Sequence, residues 1–305
     1  MTGELLALGA AFAFGMSSVA IAKGARNASA ESGVFLSAII TGLLSGAAWM
    51  WIPGGAAWDE WRQVAWGAIG WFAVSGLLAT VGGRITMYRS IEFAGVIRAS
   101  TIRRLMPLMS LLFSWLVLDE RVSLAGGGGM ALIAISFVLL YQDNRSSIRA
   151  SDEEMQRRAM ISRGLAFGVV SALLYAVSFI ARKFGLTSAP NALFGAFVGS
   201  LTAVGFYVAA AVVSDRYRSI IANVLTMPNP WQLAAALLLS AGQLSQFGAL
   251  MYASIGRVAF INSVEVYIAA FLSVAVFGTE KMPGRLVIFA AVFATAGVLV
   301  LATGW

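Results

Sequence analysis

The residues best suited to chemistry in this sequence are ionisable groups inside otherwise apolar segments. Arg103 and Arg104 lie near the middle of one such segment, and Arg98 lies about a turn and a half nearer its start. Glu265 lies near the middle of another apolar segment. Because an ionised group in apolar surroundings is costly unless it is paired, each of these residues needs a partner. The pattern predicts either a ligand site or an internal ion pair.

These charged residues support two main interpretations, and the sequence leaves both open. In the first, Arg103 or Arg104 binds an anionic group of a small molecule through its planar guanidinium, while Glu265 binds an amine or accepts a coupling proton. In the second, they form a structural ion pair that holds two segments together. A less favoured third interpretation is that an arginine extends to a polar boundary. Adjacent helical residues point about 100° apart, so only one of the two arginines need face the interior.

Further polar residues recur at three- and four-residue steps, which place them on one face of a helix. Gln243 shares a face with Gln246, and Asn262 shares one with Glu265. Two longer stripes are Ser171, Tyr175, Ser178 and Arg182, and Thr80, Arg84 and Tyr88. A single such residue more often bonds two helices together than touches a ligand. Taken together, they indicate a polar interior.

The predicted substrate-binding residues therefore come from several segments. Tyr252 is added because a deep tyrosine can stack on a ligand or hydrogen-bond to it, although packing is its commoner role. The full set is Arg98, Arg103, Arg104, Tyr175, Ser178, Gln243, Gln246, Tyr252, Asn262 and Glu265. Pro107 lacks a backbone N–H and would permit a kink, so it is the predicted hinge.

The segments that carry these residues are predicted to be transmembrane helices. Hydrophobic residues make up 59% of the 305 positions and charged residues 11%, which is far from the composition of a soluble domain. Stretches of about 20 residues almost without charge match the length that a helix needs to cross a bilayer. The sequence predicts an all-α membrane protein with ten spans, at 3–22, 33–52, 64–88, 92–118, 122–141, 164–183, 191–213, 231–253, 257–277 and 284–303.

Several classes of function are disfavoured by what the sequence lacks. Without cysteine and histidine, the usual zinc, haem and thiol sites are excluded or strongly disfavoured, and we expect no metal, cofactor or catalytic residue. The glycines at 126–129 are not followed by the Lys-Ser/Thr of a phosphate loop and fit close packing of the fifth and tenth spans. More than half of the 21 basic residues fall in short loops beside apolar spans, which predicts contact with lipid and not with nucleic acid.

The chain is predicted to contain two similar units. A shift of about 160 residues brings the Lys23 region onto the Lys183 region and the Glu120 region onto the Glu280 region, although one gap is needed between them. The predicted boundaries are 1–141 for the first five-helix repeat, 142–163 for a polar, solvated linker, and 164–305 for the second repeat. Because five spans is an odd number, the second repeat would enter the membrane from the opposite side, as in many secondary transporters.

The stretch YRSIEFAGVIRASTIRRLMPLMSLLFSWLVLDE, from Tyr88 to Glu120, resembles the EamA-type repeat of the drug/metabolite transporter superfamily. Its marks are Pro107 in the fourth span and Glu120 at the end of that span. The second copy keeps the glutamate as Glu280 but has Val266 and Tyr267 where the family often has proline. The resemblance implies a ten-helix transporter of small metabolites with a central cavity between its halves.

We therefore expect a secondary active transporter that moves a small polar or amphoteric metabolite, such as an amino acid or an organic acid, with export as the expected direction. A channel and an intramembrane enzyme are the alternatives, but no selectivity filter or catalytic constellation supports them. The expected location is the bacterial inner membrane, as a monomer or homodimer. The excess of Lys and Arg in the loops after the odd-numbered spans favours termini outside the cytoplasm.

Overall fold

A computed structural model describes residues 2–25, 29–51, 66–106, 108–109, 113, 124–145, 152–226, 229–252, 261–262 and 264–303. Within these ranges the chain is helical and contains no strand. The helices are α1 Thr2–Gly24, α2 Ala30–Trp51, α3 Trp66–Ala94, α4 Val96–Ile102, α5 Leu124–Arg145, α6 Asp152–Ser188, α7 Ala192–Val213, α8 Asp215–Thr226, α9 Pro230–Tyr252, α10 Glu265–Phe271 and α11 Arg285–Thr303. Wider π-helical turns occupy Gly76–Gly83 within α3 and Leu272–Val276 after α10.

Five of the described helices are long and apolar enough to cross a membrane, judged by length and composition. They are Thr2–Gly24, Ala30–Trp51, Trp66–Ala94, Glu153–Ser188 and Ala192–Val213. Shorter apolar helices follow at Gly127–Asp143, Glu265–Val276 and Arg285–Val300. These helices confirm the all-α membrane class, while the count of ten spans stays a prediction.

Some of the predicted boundaries differ from the observed ones. The sixth span was expected to begin at residue 164, but α6 begins at Asp152 and carries the second half of the polar linker as exposed helical turns. The short amphipathic helix α8 was not predicted, and it buries Ile220 and Val224 while Asp215 stays exposed. Pro107 and Glu120 lie outside the described residues.

The main helix contacts join the two predicted repeats. Helix α1 packs on α9, α2 on α7, α3 on α6, and α5 on α11, with a smaller contact between α4 and α10. The contact between α5 and α11 is close because a Cβ on Gly297 would lie 2.8 Å from the carbonyl oxygen of Gly129. The expected packing of the fifth and tenth spans is therefore present, and it depends on small residues.

Helices α3 and α7 also approach each other closely. A Cβ on Gly76 would lie 2.3 Å from the carbonyl oxygen of Gly199 and 2.5 Å from its Cα, so a side chain at position 76 has no room. Gly76 also begins the π-helical turn of α3, in which the widened backbone displaces carbonyl groups from the regular ladder. Ser171 of α6 donates a hydrogen bond of 2.8 Å to one of these carbonyls, that of Gly83.

Replacing Gly76 with alanine should therefore destabilise the fold, by about 1–3 kcal/mol as for other overpacked sites. The control is Gly70→Ala on the same helix, where an added Cβ would meet nothing within 4 Å. Thermal unfolding in detergent, followed by the fluorescence of the nine tryptophans, compares the two variants. A melting temperature for Gly76→Ala equal to that of Gly70→Ala would contradict the close approach.

Candidate substrate site

The predicted charged residues of the fourth and ninth spans meet in the structure. Arg103 Nη1 donates to Glu265 Oε1 at 2.8 Å, and Arg104 Nη2 donates to Glu265 Oε2 at 3.4 Å. Arg104 Nη2 also donates to the backbone carbonyl of Asn262 at 3.2 Å. Glu265 is 3% exposed. We call Arg103, Arg104, Asn262 and Glu265 the Glu265 cluster, which joins the two predicted repeats.

The backbone is irregular where this cluster forms. Helix α4 ends at Ile102, and the amides of Arg104 and Met106 then bond to carbonyls three residues back. Helix α10 begins at Glu265 after a turn at Val264. A carboxylate in the first turn of a helix is stabilised by the helix dipole. Interrupted helices inside a membrane are tolerated where their free backbone groups find protein, water or ligand partners.

Asn262 carries a further sign of incomplete pairing. It is 6% exposed, yet within the described residues neither its side-chain oxygen nor its nitrogen has a hydrogen-bond partner. A buried polar atom without a partner costs about 1–3 kcal/mol, so native proteins rarely leave one unsatisfied. An asparagine amide beside a carboxylate and two guanidinium groups is suited to a small polar molecule.

A second polar cluster lies around Arg84, which sequence reasoning placed on a polar stripe but did not include among the binding residues. Arg84 Nη1 donates to Ser37 Oγ at 2.8 Å, and Nη2 donates to Gln243 Oε1 at 2.8 Å. Both nitrogens lie 3.4 Å from Thr41 Oγ1, and Thr41 in turn contacts Ser240 Oγ at 2.9 Å. We call Ser37, Thr41, Arg84 and Gln243 the Arg84 cluster.

The structure places the α6 candidates beside this second cluster. A Cβ on Gly83 would lie 3.1 Å from the Tyr175 ring, so that ring packs against α3 one residue from Arg84. Arg182 lies within electrostatic range of both Tyr175 and Arg84. Ser178 donates to the carbonyl of Tyr175 in its own helix at 2.7 Å, which is a local bond. Gln246 lies one turn beyond Gln243 on α9 and is half-buried.

Two predicted residues lie apart from both clusters. Arg98 Nη2 donates to Asp143 Oδ2 at 2.6 Å, which ties the start of α4 to the end of α5. Tyr252 is 66% exposed at the end of α9. The structure thus brings together Arg103, Arg104, Asn262 and Glu265, and separately Gln243 and Tyr175 with Arg84.

Glu280 is the glutamate that the sequence pairs with Glu120, and the structure shows what its carboxylate contacts. Its carboxylate accepts hydrogen bonds from the backbone N–H of Val96 and, at 3.4 Å, from that of Ile97, at the start of α4. The chain can turn there because Gly95 has φ +85°, and a Cβ on Gly95 would lie 2.7 Å from Glu280 Oε1. Burial raises the pKa of Glu280, while the two amides and Arg98 oppose the rise.

Other contacts between the repeats lie at the same end of the bundle, which we call the basic end. It is the end where α1 and α3 finish and α2 begins. Here Glu31 of α2 accepts from Arg216 of α8 at 2.8 Å and from Arg89 of α3 at 3.1 Å. Lys23 lies 4.3 Å from the ring centres of Trp231 and Phe277. These contacts hold the two repeats together at the basic end.

Removing the carboxylate of the Glu265 cluster should destabilise the protein more than removing one arginine. Glu265→Gln removes the charged carboxylate that Arg103 and Arg104 both contact, and breaking a buried pair costs about 3–5 kcal/mol. Arg103→Gln leaves Glu265 paired with Arg104 and should cost less. Tryptophan-detected unfolding measures both, with Asp215→Asn in the exposed pair with Arg218 as the near-neutral control. A larger loss for Arg103→Gln would contradict this arrangement.

Glu280→Ala should destabilise α4 by about 0.5–2 kcal/mol, as for a lost helix cap, whereas Glu280→Gln keeps an oxygen acceptor and should lie closer to wild type. Because the folded-state pKa of Glu280 is raised, the folded protein binds the proton more tightly than the unfolded chain. The stability of wild type relative to Glu280→Gln should therefore fall as pH rises through that pKa. Equal melting temperatures for all three proteins at every pH would refute the cap.

Comparison with known proteins agrees with these features. Residues 1–142 match the family model of the EamA-like transporter family, which confirms the resemblance over those residues. No curated protein matches the chain. One solved crystal structure, titled only as that of a protein, is similar to this chain with a TM-score of 0.56 and 16% sequence identity. The match covers 98% of this chain and 95% of the other, and it shows the fold alone. The chain is thus a multi-pass membrane protein whose residues 1–142 are similar to the EamA-like family of membrane transporters.

Proposed function

We propose that this protein is a secondary active transporter that exports a small polar or amphoteric metabolite by alternating access around a midplane site. The observation that carries the proposal is the Glu265 cluster, in which buried charges from the two repeats meet where both α4 and α10 are interrupted. Substrate and ion sites of secondary transporters typically lie near the bilayer midplane, between repeats, at such discontinuous helices.

The pairing of helices supports a mechanism in which two halves move against each other. In the predicted repeat, each helix of the first half has a counterpart in the second: α1 corresponds to α6, α2 to α7, α3 to α9, α4 to α10, and α5 to α11. The α1–α9 contact then has the α6–α3 contact as its counterpart. The α2–α7, α4–α10 and α5–α11 contacts each join a helix to its own counterpart. A pattern that survives this exchange is the one expected of two structurally repeated halves. Exchange of their conformations would open first one side of the site and then the other.

Contacts at the basic end support a state in which that end is closed. The Glu31–Arg216 pair, the hydrogen bond of Gln232 Nε2 to the carbonyl of Ser29 at 2.8 Å, and Glu280 at the start of α4 all join the two repeats there. Polar contacts of this kind can exchange for water when the end opens, because both partners lie near the membrane surface. A shift between closed and open states then requires only a modest difference in free energy.

In this mechanism Glu265 has two alternative roles. It can accept a coupling proton, which would release Arg103 and Arg104 to bind the substrate, or it can bind an amine of the substrate directly. Both roles require that the ion pair open during transport, and both place the side chain of Asn262 against the bound molecule. A pair that never opened would be structural only.

The test is flux of a labelled panel of amino acids and organic acids in proteoliposomes, at several pH gradients. Wild type should transport at least one member, driven by the gradient, and both Glu265→Gln and Arg103→Gln should abolish that flux. Asp215→Asn, on the exposed surface, should transport at the wild-type rate and controls for reconstitution.

Folding is checked separately by tryptophan-detected unfolding and size-exclusion chromatography, so that a lost flux in a folded variant is informative. Normal flux in both folded variants would show that the Glu265 cluster is structural and would refute its part in transport. A wild type that moves no member of the panel under any gradient would refute the proposed substrate class.

A further inference from the structure

Arg84 is a buried cation whose partners are all neutral. It is 4% exposed, and its guanidinium donates to the hydroxyls of Ser37 and Thr41 and to the amide oxygen of Gln243. Within the described residues no carboxylate lies within 4 Å of it, although the other buried arginine, Arg104, has Glu265. A charge near the middle of a membrane helix without a counter-ion is costly, which makes it a functional candidate.

The buried carboxylates of the described residues are engaged elsewhere. Glu31 pairs with Arg89 and Arg216 at the basic end, and Glu265 pairs with Arg103 and Arg104. Beside Arg84 the next ionisable groups are Arg182, which adds positive charge, and the phenols of Tyr175 and Tyr88. Because the hydrogen-bond partners of Arg84 are neutral, its charge favours an anion over a cation or a neutral molecule.

The geometry of the Arg84 cluster fits a carboxylate in particular. A guanidinium offers parallel N–H donors that bind both oxygens of a carboxylate, and such bonds are about twice as strong as neutral ones. The hydroxyls of Ser37 and Thr41 accept from Arg84 and donate to the carbonyls of Val34 and Ser37 in their own helix, at 2.8 and 2.7 Å. Rotation of either hydroxyl would redirect its proton to a bound anion, and the amide nitrogen of Gln243 can donate as well. A bound carboxylate would replace these neutral acceptors and receive donors from α2, α3 and α9.

We propose that the Arg84 cluster binds the carboxylate of the transported molecule, so that the substrate is an organic acid or an amino acid and not a cation. This inference rests on the proposed transport function. Ser37, Thr41 and Arg84 belong to the first repeat and Gln243 to the second. An anion bound here therefore touches both moving halves, which is how a substrate can bias their relative position.

The first test needs no variant and uses matched pairs of probes with purified wild-type protein. Propionate is compared with propionamide, and benzoate with benzamide, because each amide has nearly the shape of its acid without the charge. Thermal unfolding followed by tryptophan fluorescence, at several probe concentrations, gives an apparent Kd for each. The carboxylates should bind at least about tenfold more tightly than their amides. Equal binding within both pairs, or no shift with either acid, would overturn the proposal.

The second test introduces a negative charge beside Arg84 by mutation. Gln243→Glu places a carboxylate at the atom that accepts from Arg84 at 2.8 Å. The variant should melt at a higher temperature than wild type and should lose its preference for propionate and benzoate, because the site is already neutralised. A Gln243→Glu protein that keeps the wild-type preference for acids would overturn the proposal.

The third test replaces Arg84 itself. Arg84→Gln should lose the preference for acids, and Arg84→Lys should keep a weakened preference, because lysine retains the charge without the planar fork. Arg157→Gln, on an exposed part of α6, changes the net charge equally and should bind like wild type. Retention of the full preference in folded Arg84→Gln would overturn the proposal, and if that variant does not fold, the wild-type probes and Gln243→Glu decide.

Binding and transport separate the two proposals. If the protein binds carboxylates through Arg84 but proteoliposomes show no flux of any acid, the site stands and the transport proposal fails. If flux of organic acids occurs and is unchanged in folded Arg84→Gln, transport stands and the assignment of Arg84 is wrong.

Discussion

A buried charge must be neutralised or hydrogen-bonded by another part of the protein, and this constraint organises the interior of the molecule. The buried carboxylates Glu31 and Glu265 each contact arginines, and in both cases at least one of those arginines lies in the other predicted repeat. Glu265 lies inside the bundle and Glu31 at its basic end, and at both places a charge of one predicted repeat is neutralised by the other. The charges that would be most costly in isolation are thus the ones that hold the repeats in register.

Close packing of small residues holds other parts of the two predicted repeats together. Helices in a membrane gain little from burying apolar side chains, so their association depends on close contact and hydrogen bonds. Gly76 against Gly199 brings α3 to α7, and Gly297 against Gly129 brings α11 to α5. Between α2 and α3, a Cβ on Gly33 would lie 2.4 Å from the Tyr88 ring, and the short side chains of Ser37 and Thr41 reach the guanidinium of Arg84.

The sequence predicted the helical class, the Glu265 cluster and the contact between the fifth and tenth spans. These features could be predicted because a charge or a run of glycines stands out within an apolar stretch of sequence. The sequence did not predict the Arg84 cluster, because the partners of Arg84 are two hydroxyls and an amide on other helices, and neutral partners leave no signal in composition. The break at Gly95, between α3 and α4, was also missed. Its cause is a carboxylate from residue 280, and only the tertiary contact reveals why a glycine is required there.

The two polar clusters differ in a way that bears on the proposed mechanism. In the Glu265 cluster the charges are already paired, so a ligand or proton must compete with an existing bond. In the Arg84 cluster a charge is held by neutral acceptors, so an anion would meet a site that still lacks its counter-charge. A carrier needs one site that attracts the substrate and one contact that resists opening until the substrate has bound. Arg84 is suited to attracting the substrate, and the Arg103–Glu265 pair is suited to resisting opening. The free energy of anion binding at Arg84 could then offset the cost of opening the Arg103–Glu265 pair.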